Sequence, residues 1–158
     1  MAKYDVQITD YSVDGARFAV VAARFNTAIT DALLEGALAT LAEHAVPNDH
    51  VSVVQVPGAF EIPITAKRLA ASGRYEAIIA LGAVVRGGTP HFEYVAGECA
   101  RGISRVAQDE DVPVIFGVMT TDTDEQARDR AGGKEGNKGA ESAHAALEMV
   151  TLLRRLRD

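Results

Sequence analysis

Ile78-Ile79-Ala80-Leu81-Gly82-Ala83-Val84-Val85 is a run of eight residues with no polar side chain. A strand with one wet face would alternate with polar residues, so an unbroken apolar run reads as a central parallel strand covered on both sides. Three similar runs flank it: Phe18-Ala19-Val20-Val21, Val51 to Val56, and Pro113 to Met119. Between the runs, apolar residues recur at helical spacing. Ile29, Leu33, Ala37 and Leu41 form one stripe, widened by Leu34 and Leu38. Ile62, Ala66 and Leu69 form a second, and Phe92, Ala96, Cys99, Ile103 and Val106 a third. Ala143, Leu147, Val150 and Leu153 mark a long final helix, with Glu141, Glu148 and Arg155 on its other face. Arg154, Arg155 and Arg157 near its end suit the helix dipole.

Punctuation residues agree with these boundaries. Asn26 stands where the first helix needs its N-cap, and Gly73 where the second must stop. Thr89 and Pro90 suit the cap and first position of the third helix. Thr123 and Gln126 have capping-box spacing before a short helix from about Asp124. Strand alternating with helix four times predicts an α/β fold: a four-stranded parallel sheet in a three-layer α/β/α sandwich. With 158 residues, one domain is expected over 1–158. Residues 1–16 fall outside the repeat. There Val6 and Ile8 alternate with polar neighbours, which fits either an edge strand or a frayed terminus.

Composition narrows the function. Hydrophobic residues make up 47% and charged residues 24%, an ordinary globular balance. Sixteen Lys and Arg against twenty-two Asp and Glu leave a net charge of −6, which offers no general attraction to nucleic acid or an anionic membrane. An anionic substrate would need a local basic site. The apolar stretch Ala77 to Val85 is far short of the ~20 residues that span a bilayer. Met1-Ala2-Lys3-Tyr4-Asp5 has no apolar signal core, so a cytoplasmic location is expected. The lone Cys99 excludes an intrachain disulfide and a multi-cysteine metal site.

Ligands of open parallel sheets bind beyond the carboxyl ends of the strands. Those ends read Arg24-Phe25-Asn26, Pro57-Gly58-Ala59-Phe60-Glu61, Arg86-Gly87-Gly88-Thr89-Pro90-His91 and Thr120-Thr121-Asp122-Thr123. Gly87-Gly88 would let the backbone turn and approach a ligand, and the helix start beyond could hold a phosphate on free N–H groups. An ordinary glycine loop with a capped helix fits the same residues. No dinucleotide fingerprint or P-loop is present. His44, His50 and His144 read as surface or packing residues. His91 lies at the active edge, where an imidazole can exchange protons near neutral pH or simply pack the helix start. Cys99 stands eight residues further, about 12 Å along the axis, too far to pair with His91. It falls on the apolar stripe and reads as a buried structural cysteine. Arg128, Arg130, Lys134 and Lys138 surround the glycine-rich break Gly132, Gly133 and Gly136; they form either an anion site or a solvated loop. Phe25 and Phe116 are core residues or stacking faces. Glu61 serves the helix dipole or accepts hydrogen bonds from a polyol.

Four longer stretches carry a family resemblance. They are Val56-Pro57-Gly58-Ala59-Phe60-Glu61-Ile62-Pro63; Leu81-Gly82-Ala83-Val84-Val85-Arg86-Gly87-Gly88-Thr89-Pro90-His91-Phe92-Glu93-Tyr94-Val95; Phe116-Gly117-Val118-Met119-Thr120-Thr121-Asp122-Thr123; and Asn137-Lys138-Gly139-Ala140-Glu141. In order, from about Phe18 to the last helix, the chain resembles the 6,7-dimethyl-8-ribityllumazine synthase family. The resemblance implies a flavodoxin-like fold and a transferase of riboflavin biosynthesis, acting at the penultimate step. It would condense 5-amino-6-(D-ribitylamino)uracil with 3,4-dihydroxy-2-butanone 4-phosphate, releasing phosphate and water, with no metal or redox cofactor.

By the same resemblance, Phe25 stacks on the pyrimidine, and Asn26, Ala59, Phe60 and Glu61 contact the pyrimidine and ribityl chain. Val84 and Val85 supply backbone contacts, Gly88 and Thr89 hold the phosphate end, and His91 shuttles protons. Phe116, Arg130 and Lys138 would reach in from a neighbouring subunit, with Arg130 on the phosphate, while Arg128 points elsewhere. The partners implied are small-molecule substrates and further copies of the chain. The copies would form a pentamer, and twelve pentamers an icosahedral shell, with association with riboflavin synthase as an option. The N-terminal arm would add to a neighbour's sheet.

Three other classes fit less well. A flavodoxin-like electron carrier needs a flavin phosphate loop at the first strand, which is missing. A response-regulator receiver needs an acidic cluster where this chain has Arg24-Phe25-Asn26. A non-catalytic, lumazine- or riboflavin-binding shell protein would have no need of His91, Arg130 and Lys138.

Overall fold

The computed structural model describes residues 3–157. The chain opens with β1 (Phe18–Ala23), α1 (Thr27–Glu43), β2 (Val51–Val56) and α2 (Ile62–Ala71). It continues through β3 (Ala77–Val85), α3 (His91–Glu110), β4 (Val114–Thr121) and α4 (Asp124–Asp129). A small hairpin, β5 (Ala131–Gly133) and β6 (Gly136–Asn137), leads into α5 (Lys138–Leu156). The four main strands are parallel, in the order β2-β1-β3-β4. This is the expected flavodoxin-like three-layer sandwich. Among the described residues, no helix is long and apolar enough to cross a membrane.

The strand pleat sends alternate side chains to opposite faces, and β3 uses both. Ile79, Leu81 and Ala83 join the core under α1 and α5, while Ile78, Ala80 and Val84 join the core under α2 and α3. In β1, Phe18 and Val20 go to the first core, and Ala19, Val21 and Ala23 to the second. The hydrophobic run has no polar alternation because neither face meets water.

The helices settle on these faces by their predicted stripes. Ile29, Leu33, Ala37 and Leu41 are buried, as are Cys99, Ile103 and Val106. Gly73 follows the end of α2 with φ +72°, a conformation that favours glycine. Thr123 accepts the Gln126 N–H at 3.1 Å, as its spacing predicts; the Gln126 side chain returns to the Asp122 N–H at 2.8 Å, one residue before the cap.

Two cap expectations need correction. Asn26 precedes α1, yet its side chain makes no cap bond. Its backbone is left-handed (φ 62°, ψ 54°), a region asparagine tolerates better than most residues, and its carbonyl accepts the Ile29 and Thr30 N–H groups. Thr89 is not the cap of α3. The helix starts at His91, Pro90 occupies the cap position, and no side chain caps it.

The glycine-rich break is ordered into the β5–β6 hairpin, which periodicity could not reveal in so short a segment. Its last residue, Asn137, caps α5 by accepting the Ala140 N–H at 3.0 Å and donates to the Ala32 carbonyl at 3.1 Å. That brace lies over Gly36, where a Cβ would come within 2.4 Å of the Asn137 side chain. Gly139 then lets α5 touch the backbone of α1.

The described part of the arm forms no strand. Met1 and Ala2 lie outside the described residues. From Gln7 onward the arm is tied to its own chain. Ser12 N–H donates to Thr151 Oγ1 at 2.9 Å, and Arg155 donates to the Gln7 carbonyl. Arg154 donates to the Asp14 carbonyl at 2.9 Å while holding the Glu76 carboxylate through two bonds of 2.7 Å. Frayed is therefore the wrong description for residues 7–16.

A Cβ on residue 139 would stand 1.8 Å from the Leu33 carbonyl oxygen. Backbone cannot yield as a flexible side chain does, so Gly139→Ala is expected to cost about 3 kcal/mol or more, at the upper end of overpacking effects. Chemical denaturation of the two proteins side by side checks this.

Candidate active site

Two separate hollows lie near the carboxyl edge of the sheet. The larger, about 600 Å³, is lined by Phe25, Pro57 to Glu61, Ala83 to Val85, Gly87, Thr89, His91, Phe92, Tyr94 and Val95. Three strand exits build it. The Arg24 and Phe25 N–H groups continue the β1–β2 ladder by donating to the Val56 and Pro57 carbonyls at 2.8 and 3.1 Å. Phe25 is thereby set beside the tight turn Ala59–Glu61. The β3 exit supplies Val84 and Val85, and the first turn of α3 supplies His91 and Phe92.

The smaller hollow, about 400 Å³, lies along the outer strand β4. Phe116, Val118 to Thr121, Arg130, Glu135, Lys138 and Glu141 line it. The hairpin explains how Arg130 and Lys138 meet despite their separation in sequence. The Lys138 N–H donates to the Arg130 carbonyl at 2.8 Å across its base. Arg130 Nη1 also donates to the Gln126 carbonyl at 3.0 Å, which fixes its stem against α4. Arg128 is exposed and lies outside this hollow.

Most of the expected site residues thus fall into two groups that share no member. Phe25, Ala59, Phe60, Glu61, Val84, Val85, Thr89 and His91 meet in the larger hollow; Phe116, Arg130 and Lys138 meet in the smaller. Asn26 and Gly88 line neither. Asn26, next to Phe25 in the chain, is half-buried, and Gly88 lies on the exposed loop beside Gly87. Neither Gly87 nor Gly88 has a left-handed backbone, and a Cβ at either would meet open space. The chain bends at Gly88 and Thr89, as expected, without a left-handed residue, and the two glycines leave an uncovered backbone surface there.

The larger hollow is apolar and open. Phe25 is 68% exposed, Phe60 56% and Tyr94 69%. Three uncovered aromatic faces around one cavity mark a surface that binds a flat ligand or another protein. Its titratable side chains are Glu61, His91 and Tyr94, and it contains no lysine or arginine. Both cations belong to the other hollow.

Arg86 was quoted in the sequence without a role, yet it organises the rim. Its Nε donates to Asp122 Oδ1 at 2.8 Å, it pairs with Glu93, and its Cζ lies 4.4 Å from the Phe92 ring centre. The bonds from Asp122 and then Glu93 push the guanidinium pKa up. Its partners lie 36 and 7 residues away, and no local motif announces them. Two of the other histidines, half-buried His44 and exposed His144, pack against each other and Tyr11. His44 stacks edge-on against Tyr11 and His144, and the Tyr11 hydroxyl lies 3.0 Å from His144 Nδ1.

With this geometry in view, sequence comparison decides the family. A family model described as 6,7-dimethyl-8-ribityllumazine synthase matches residues 15–154. A protein of Halorhodospira halophila (strain DSM 244 / SL1) named 6,7-dimethyl-8-ribityllumazine synthase is 52% identical over 154 residues, covering 96% of this chain and 99% of that protein. The chain belongs to the 6,7-dimethyl-8-ribityllumazine synthase family. In this lumazine synthase family member, both hollows lie within the matched region.

Cys99 is no part of either hollow. It is fully buried among the apolar residues under α3, and burial pushes its thiol up to about 11. An unfolded cysteine titrates near ~8.5. The folded form therefore keeps a proton that the unfolded form has lost between those values. The stability from this proton is intact below about pH 8.5 and falls as pH rises toward 11, by about 1.4 kcal/mol per pH unit. Denaturation of the wild type and Cys99→Ala at pH 8 and pH 10 is expected to show this loss in the wild type alone. A thiol reagent at pH 8 is expected to modify Cys99 only after unfolding.

Proposed function

We propose that the chain condenses 5-amino-6-(D-ribitylamino)uracil with 3,4-dihydroxy-2-butanone 4-phosphate to 6,7-dimethyl-8-ribityllumazine, the penultimate step of riboflavin biosynthesis. The observation that carries this reading is the division of labour between the hollows. One has aromatic faces, a carboxylate and an imidazole but no cation; the other has Arg130 and Lys138. An anionic ketone needs both, and a neighbouring copy of the chain supplies the second.

In this reading Phe25 stacks on the pyrimidine, while Ala59, Phe60, Glu61 and Asn26 receive its edge and the ribityl chain. Val84 and Val85 offer backbone groups to the heterocycle. The neighbour's Phe116 and Lys138 complete that side. The uncapped start of α3, with Gly88 and Thr89, takes the phosphate together with the neighbour's Arg130.

The steps balance as follows. The 5-amino nitrogen attacks the ketone carbon, and water leaves to give an imine. A proton is lost from the adjacent carbon framework as the C–O bond to phosphate breaks. The enol so formed takes up a proton at its terminal carbon, and the carbon bearing its hydroxyl becomes a new carbonyl; the ribityl-bearing nitrogen then attacks that carbonyl, and a second water leaves on ring closure. His91 moves the protons, Arg130 steadies the departing phosphate, and holding two reactive partners together supplies much of the rate.

His91→Ala is therefore expected to slow turnover by about ten- to a hundredfold without abolishing it, because positioning survives. Steady-state formation of fluorescent lumazine above the spontaneous background measures this; unchanged turnover excludes the role.

We further propose that the chain is a cytoplasmic enzyme that forms a pentamer, with twelve pentamers in an icosahedral shell, and that it can associate with riboflavin synthase. The N-terminal arm would add to a neighbour's sheet in that assembly. A site shared between copies predicts complementation. Arg130→Ala is expected to raise KM for the phosphorylated substrate, and co-refolding it with His91→Ala is expected to restore a fraction of sites with both groups intact. Activity of the mixture no greater than the sum of the two variants would exclude a shared site. Sedimentation velocity on the same samples gives the size of the assembly.

A further inference from the structure

Arg86 stands at the root of the loop that carries Gly87, Gly88, Thr89 and Pro90 into α3. Its backbone N–H donates to the Thr121 carbonyl at 2.8 Å, extending the β3–β4 ladder by one residue. Its side chain reaches two further elements. Asp122, just beyond β4, accepts from Nε at 2.8 Å, and Glu93, in the first turn of α3, pairs with Nη1. The guanidinium also lies over the Phe92 ring, at 4.4 Å from its centre.

Little else holds this loop. A Cβ on Gly87 or Gly88 would meet no atom within 4 Å, and no side chain caps α3. His91, Phe92 and Glu93 are successive residues of one helical turn, spaced about 100° apart. Fixing the second and third of them therefore fixes the direction of the first. The exposed His91 side chain is carried by that first turn.

We infer that Arg86 is a positioning residue: anchored by Asp122, it clamps the first turn of α3 through Glu93 and Phe92, and so sets the 87–90 loop and the His91 imidazole. The inference rests on the proposed reading of the larger hollow as the reaction site. A lysine cannot replace this arrangement. The planar fork bonds two carboxylates in different directions while its face lies on an aromatic ring; an ammonium group is a single point charge. The two carboxylates already neutralise the guanidinium, so it serves as a strut and leaves phosphate recognition to Arg130.

The test compares the wild type with Arg86→Met, Arg86→Lys, Asp122→Asn and Glu93→Gln. Amide hydrogen exchange over residues 87–93 is expected to quicken at least tenfold in Arg86→Met, with the sheet unchanged. Turnover is expected to fall about tenfold and KM for the phosphorylated ketone to rise severalfold, while KM for the pyrimidine, held by other loops, stays within twofold. Asp122→Asn and Glu93→Gln are each expected to reproduce part of the loss and to add nothing to Arg86→Met. Arg86→Lys is expected to recover less than half of it.

Wild-type exchange in Arg86→Met overturns the clamp. So does an impaired Arg86→Met beside two fully active carboxylate variants, because Arg86 would then touch substrate directly. If the wild type makes no lumazine from the two substrates, the functional reading fails, and the exchange comparison still decides the clamp.

Discussion

The burial of β3 on both faces is the constraint from which the rest of the molecule follows. A strand whose odd and even residues both enter dry cores must have helices above and below it and strands on either side. The order β2-β1-β3-β4 meets that demand, with β1 and β4 as its neighbours. Because the strands are parallel, every exit opens on one edge. Phe25, the Ala59–Glu61 turn and His91 are far apart in sequence, yet each is the first irregular backbone after a strand or the first turn of the next helix. The sheet delivers them to one place without any of them bonding another.

The same topology leaves an outer strand, β4, whose free edge faces away from the larger hollow. The cations gather along that edge on a device separate from the sheet. Placing cations apart from the imidazole and aromatic faces has a physical advantage in an acidic chain. The aromatic hollow has no lysine or arginine of its own against its apolar walls. On the proposed reading, the field that an anion requires arises where two copies meet, in a drier space where it is stronger.

Much of this was legible in the sequence because it rests on periodicity and strand ends. The eight-residue run of β3, the stripe through Leu33 and Leu41, and the capping pair Thr123 and Gln126 are local patterns with local causes. The larger hollow was legible for the same reason, since strand exits can be read one at a time. Other features depend on partners distant in the chain. Arg86 finds Asp122 only after β4 has paired with β3. Gly139 matters because of the Leu33 carbonyl, which no spacing rule connects to it. Asn26 takes the N-cap position its place predicts, but it serves there through a left-handed backbone and not through its side chain, which position alone does not reveal. The hold on residues 7–14 could not be read because Arg154, Arg155 and Thr151, which provide it, come at the other end of the sequence.

The β5–β6 hairpin has a consequence for how such a chain can vary. Arg130 and Lys138 sit at its two feet, joined by one main-chain bond, with glycines at 132 and 136 taking φ values of +99° and +89° between them. The two basic side chains therefore travel as a unit. Lengthening the tip would leave their mutual spacing alone and alter only what protrudes from the surface. Outer contour and inner charge spacing are thus separately adjustable properties of one seven-residue segment, 131–137.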